Sequence, residues 1–174
     1  VTGLLPVYAT EVYDVGPAGL GLLTSALGAG ATLGIIVLAS FGTIGNQLRV
    51  VIVTLALAGG AMAGFSLSPS ILVSLPLLML MSAAASTSMT LGGAVVQSLT
   101  PASMRGRVSG IHEMTLGLFP LGTLTSGVLA QIMGAPAATI IAAGAMLATL
   151  TALAFTFRGI WWRTNASAAI ASLD

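Results

Sequence analysis

The chain has no cysteine, no lysine, and only five basic and four acidic residues in 174 positions. Without thiols there is no disulfide framework, no thiolate metal site and no thiol nucleophile. A single histidine cannot assemble a convergent ligand set, so no metal site is expected and no cofactor motif is read. No serine has a nucleophile-elbow context, which leaves a catalytic triad without support. A net charge of +1 gives no electrostatic case for nucleic acid. Charged residues make up 5% of the chain and hydrophobic residues 56%. Soluble domains carry about a quarter charged residues, so a water-facing surface cannot be built from this composition.

What is present is long apolar runs. Five stretches, 17–40, 50–67, 71–98, 108–133 and 137–157, approach or exceed the roughly 20 residues that cross a hydrocarbon core. Only Glu113 places a formal charge inside them. Backbone groups in lipid must satisfy one another locally, so each stretch is expected to be a helix and the fold an all-α polytopic membrane bundle. The gaps alternate in character. Residues 41–49 hold Arg49, 99–107 hold Arg105 and Arg107, and the tail from 158 holds Arg158 and Arg163. The intervening gaps, Ser68-Pro69-Ser70 and Gly134-Ala135-Pro136, are uncharged turns, and Glu11 and Asp14 precede the first full span. By the positive-inside rule the arginine gaps and the tail 158–174 face the cytoplasm of a multi-pass inner (plasma) membrane protein. Trp161 and Trp162 fit an interfacial anchor, and the Asn165-Ala166-Ser167 sequon would be inert on that side. Thr100-Pro101 reads as an N-cap followed by a first-turn proline. Residues 1–10 are apolar but too short to span. They are expected to be the exit end of a helix that begins upstream, which makes the chain a fragment with one partial and five full spans.

Two segments carry a resemblance. Leu4-Leu5-Pro6-Val7-Tyr8-Ala9 through Val15-Gly16-Pro17-Ala18-Gly19-Leu20-Gly21-Leu22-Leu23 to Gly28-Ala29-Gly30 is similar to the end of helix seven and helix eight of major facilitator superfamily transporters. Pro101-Ala102-Ser103-Met104-Arg105-Gly106-Arg107-Val108, followed by Gly117, Pro120, Gly122 and Gly127, resembles their helix ten to eleven junction. The likeness is greatest to the bacterial branch that includes the enterobactin exporter. It implies the second six-helix half of a twelve-span secondary transporter, its first helix truncated and its N-terminal half missing. It also implies export of a small siderophore- or drug-like molecule, with the proton as coupling ion. One departure stands in Gly42-Thr43-Ile44-Gly45-Asn46-Gln47-Leu48-Arg49. That loop in the branch carries an acid after a glycine and several basic residues; here the acid is missing and one arginine remains.

Functional candidates are few. Ser82, Ser86, Met89, Thr90, Gly93 and Gln97 recur at three- and four-residue spacing and share one helical face. The resemblance makes this helix ten, which lines the central cavity. The stripe either contacts substrate or packs helix against helix, since small hydroxylated residues serve both ends. Glu113 is the one charge inside a span and thus a candidate for proton coupling. It lies six residues, about 9 Å at helical rise, beyond Arg107, close enough to the interface to snorkel or pair with an arginine instead. His112 points away from it and is expected at the interface. Arg105, Gly106 and Arg107 are a cytoplasmic loop that sets topology and can contribute to a gate. Gly19, Ala26, Gly30 and Gly34, and the pair Gly60 and Gly64, are expected to pack helices closely. Pro76 and Pro120 interrupt long spans. Two other functions compete with transport. A membrane scaffold needs no polar stripe, and an intramembrane enzyme needs polar residues converging from two or more helices.

Overall fold

The computed structural model describes residues 2–42, 46–117 and 119–156. Those residues form helices joined by short turns. An N-terminal segment runs through a 3₁₀ turn (Thr2–Leu4), α1 (Leu5–Val7) and a π-helical turn (Tyr8–Val12). Then come α2 (Gly16–Ser40), α3 (Gln47–Leu67), α4 (Ile71–Leu99), a 3₁₀ turn (Ala102–Met104), α5 (Arg105–Leu116), α6 (Phe119–Met133) and α7 (Ala135–Thr156). Four of these are long and apolar enough to cross a membrane: Gly16–Ser40, Gln47–Leu67, Ile71–Leu99 and Ala135–Phe155. The chain is a helical membrane bundle. The tail 158–174, with its arginines, tryptophans and sequon, lies outside the described residues, as does the His112 side chain.

Local chemistry sets the helix ends. Asp14 and Gly16 take left-handed backbone at φ 49° and 60°, which turns the chain sharply before Pro17 opens α2. Gly42, at φ 61°, follows the end of α2. The Asn46 side chain accepts from the Arg49 amide at 3.2 Å and caps α3. At 29 residues α4 is about 44 Å long, well beyond a hydrocarbon core of about 30 Å, so it tilts or protrudes.

Two expectations change here. Thr100 does not cap a following helix. It is the extended C-cap of α4, φ −96° and ψ 123°, because a residue before proline is driven out of the α region. Its hydroxyl donates back to Val96 O at 2.6 Å, and α5 begins at Arg105. The stretch 108–133 is not one helix. α5 ends at Leu116, Gly117 is a turn, and Pro120 stands in the first turn of α6 rather than inside a continuous span. Proline lacks the amide a continuing helix needs but fits a first turn, where that amide has no partner.

The most extensive packing is α4 against α3 and against α2; α3 also packs on α7, and α7 on α6. Lipid tails are as apolar as leucine, so close contact rather than water exclusion holds such helices together. Gly19, Ala26, Gly30 and Gly34 are all buried on α2. A Cβ on Gly30 would lie 2.2 Å from Met79 O, and one on Gly34 would lie 2.5 Å from Ala83 O. Both neighbours are backbone and cannot yield, so glycine sets the α2–α4 distance. On α3 the tight position is Gly59, where an added Cβ would lie 2.8 Å from Leu147 Cδ2 of α7. Gly60 faces open space and Gly64 makes only ordinary contact with Leu77, so the expected pairing is out of register by one residue.

Candidate functional site

The polar stripe of α4 divides along its length. Ser82 is half-buried and its hydroxyl donates to Leu27 O of α2 at 2.7 Å, which makes it part of the helix contact. Ser86 and Gly93 are half-buried, and an added Cβ on Gly93 would meet open space. Met89, Thr90 and Gln97 are exposed. Thr90 lines a groove of about 290 Å³ that also takes in Ala39 and Gly42 from the end of α2 and Gln47 from the start of α3. The stripe therefore packs at its middle and opens toward the end where α4 finishes. Gln47 joins it there, 43 positions away in sequence by subtraction of the two residue numbers. No helical periodicity links the two, so only the fold brings them together.

A larger cleft of about 560 Å³ lies over α4 between α2 and α3. Leu33, Val37 and Phe41 come from α2, Val50 and Leu57 from α3, and Leu80 from α4. Its floor contains two threonines whose hydroxyls are already engaged. Thr54 Oγ1 donates to Val50 O at 2.7 Å and lies 2.6 Å from Ser88 Oγ. Thr87 Oγ1 donates to Ala83 O at 2.8 Å and reaches Gly34 O at 3.3 Å. The cleft is thus largely apolar, and the protons of both hydroxyls are already committed.

The other end of the bundle is closed by a hydroxyl network. Tyr8 is fully buried, its ring centroid 4.6 Å from that of Phe65. Its hydroxyl lies 3.3 Å from both Ser66 Oγ and Ala135 O, donating toward each. Ser66 Oγ donates to Pro136 O at 2.5 Å. The Tyr13 hydroxyl donates to Ser68 O at 3.3 Å and sits 2.6 Å from Ser74 Oγ. The N-terminal segment, α3, α4 and α7 are tied together at this point. Tyr13 lies in the turn before α2, outside the spans. Burial pushes its phenol above the usual tyrosine range, Tyr8 adds to that, and the Ser74 hydrogen bond opposes it. At neutral pH it is therefore a neutral donor. The π turn contributes directly: the Tyr13 amide bonds to Tyr8 O at 2.9 Å, which places both tyrosines on one side of the segment. The sequence reading used Tyr8 only as part of a family likeness and passed over Tyr13. Two tyrosines in a chain with 5% aromatics were the available signal.

The charged candidates stand apart from all three places. Arg105, Gly106, Arg107 and Glu113 are exposed on α5, whose main contacts are the preceding 3₁₀ turn and the end of α4. The Arg105 Nε donates to Thr100 O at 3.3 Å across the turn. Glu113 lines neither the groove with Thr90 nor the larger cleft.

Against known proteins, no curated protein and no solved structure matches the chain. A family model described as transmembrane secretion effector matches residues 1–171, nearly the whole length. With its apolar helices and its open polar face, the chain belongs to the transmembrane secretion effectors, a transporter family of the major facilitator kind.

Proposed function

We propose that the chain is the second six-helix half of a secondary exporter that moves a small siderophore- or drug-like molecule by alternating access. The observation that carries this reading is the divided stripe of α4. Ser82 is committed to α2, while Met89, Thr90 and Gln97 remain exposed and Thr90 shares a groove with Gln47. A helix that served packing alone would have its polar positions engaged along its whole length, as Ser82, Thr87 and Ser88 are. Gln47 and Thr90 supply an amide and a hydroxyl to that groove, and the exposed Gln97 lies further along α4, so an amphipathic molecule could be oriented against an otherwise apolar wall. Rocking of one half against the other about that site would expose it to each side in turn. In this reading the end with Phe41, Arg49 and Arg105 faces the cytoplasm, and the tyrosine end faces out. Glu113 is the candidate for carrying the proton.

The test is transport or resistance measured on the full-length protein in cells. Gln97→Ala is expected to weaken transport roughly three- to ten-fold at unchanged membrane abundance, the size of one lost hydrogen bond to substrate. Glu113→Gln is expected to remove the dependence of transport on the pH gradient. Wild-type behaviour of both variants would overturn these site assignments while leaving the family untouched. A tag in 41–49 that reports from outside the cell would overturn the orientation.

A further inference from the structure

The cleft over α4 is a place for hydrocarbon with a charge at its mouth. Its volume, about 560 Å³, falls within the range of about 300–1,000 Å³ typical of ligand clefts. Its walls are Leu33, Val37, Leu57 and Leu80, and the hydroxyls of Thr54 and Thr87 in its floor are held by Ser88 and by backbone carbonyls. A ligand's hydrogen-bond acceptor would find no free hydroxyl donor there. The cleft extends to Phe41 and Val50, at the end of the bundle where Arg49 is exposed one residue from the wall. Arg49 is the only formal charge between Asp14 and Arg105, and no other charged residue stands next in sequence to one that lines the cleft. An apolar cleft whose lining at Val50 adjoins the exposed Arg49 is complementary to one occupant, a lipid with a hydrocarbon chain and an anionic headgroup.

We propose that this cleft is a binding site for an anionic phospholipid, one acyl chain lying between α2 and α3 on α4 and the phosphate meeting Arg49. Gly34 makes the site possible. It lets α2 approach α4 at Ala83, so the cleft has a continuous floor where a larger residue would prop the helices apart. A bound chain would fill the gap between α2 and α3 and brace these helices against each other. The site is separate from the open polar face, and the proposal does not depend on what is transported.

The experiment uses full-length protein in vesicles containing phosphatidylglycerol or phosphatidylcholine with a photoactivatable group on one acyl chain. Labelling is mapped by mass spectrometry at 33–41 and 50–57, and compared with labelling of the exposed α6 residues Leu121, Leu124 and Val128. The expected result is a cleft-to-α6 ratio about five-fold higher for phosphatidylglycerol, the effect of one arginine near a charged headgroup. Arg49→Gln should bring the ratios for the two lipids together, and Arg49→Lys, which keeps the charge and the topology signal, should preserve the difference. Leu57→Trp, filling the cleft from an exposed wall position, should reduce labelling by both lipids. Equal ratios in the wild type, a preference that survives Arg49→Gln or is lost in Arg49→Lys, or a cleft that neither lipid labels would each overturn the proposal.

Discussion

The two ends of the bundle are built on opposite plans. At one, Tyr8, Tyr13, Ser66 and Ser74 bond across four elements, and Phe65, Leu5 and Leu78 are fully buried beneath them. At the other, Phe41 is 72% exposed, Thr90 and Gln97 are open, and the cleft between α2 and α3 is apolar. The same small hydroxylated residues occur along the whole of α4, so composition does not make the difference. What differs is reach. A tyrosine can carry a donor from the N-terminal segment to the turns between α3 and α4 and between α6 and α7, whereas serine and threonine reach only the next helix or their own backbone. One end is therefore held and the other is left adaptable, a division that suits the proposed rocking motion.

Four substitutions and one control test this division. Tyr8→Ala should have the largest effect, about 3–5 kcal/mol, because it empties a fully buried aromatic position and removes the tie to α3 and α7. Loss of the thermal unfolding transition in detergent would show it; a transition unchanged from wild type would mean that the tyrosine end is not held. Gly34→Ala comes next, at about 1–3 kcal/mol, since its Cβ would meet Ala83 backbone rather than a movable side chain. Gly60→Ala on α3, facing open space, is the control and should be neutral or slightly stabilising. Tyr13→Phe should be smaller, about 0.5–1.5 kcal/mol, the usual net contribution of one hydrogen bond. Leu57→Ala, at the adaptable end, should change stability least, by about 0.5 kcal/mol or less, because its side chain is already exposed.

The pH dependence separates the ends further. The Tyr13 phenol is raised above its ordinary value of 10.0 in the folded protein. A group with a raised folded pKa contributes stability that is complete below the unfolded value and is lost as pH rises through the folded one. Melting measured from pH 7 upward should therefore stay level to about 10 and then fall, and Tyr13→Phe should remove that part of the fall. An identical fall in the variant would place the titration elsewhere.

How much of this was legible follows from what each feature depends on. Helices α2, α3, α4 and α7 could be read because an uninterrupted apolar run of sufficient length has no other structure available in lipid. The small-residue face of α2 was legible for a related reason: Gly30 and Gly34 are four apart and must lie on one side. The corresponding face of α3 was not. Gly59, Gly60 and Gly64 offer two possible faces, and only the position of α7 selects Gly59. The break at Gly117 was missed because the run 108–133 carries no formal charge except Glu113, and hydropathy does not register a local change of backbone. The α4 stripe was legible as a face, but its division into a packed and an open part was not, since that depends on how far α2 extends alongside it.

By itself the sequence determined a membrane bundle and its principal helices, because those follow from hydrophobicity and local turn chemistry along the chain; the family was legible only through the likeness of its motifs. The tyrosine network, the cleft and the meeting of Gln47 with Thr90 were decided only by the tertiary structure. Tyr8 lies 58 positions from Ser66 and 127 from Ala135. No periodicity spans such distances, and in lipid the choice among helix faces rests on steric fit between backbones, which exists only once the helices are side by side.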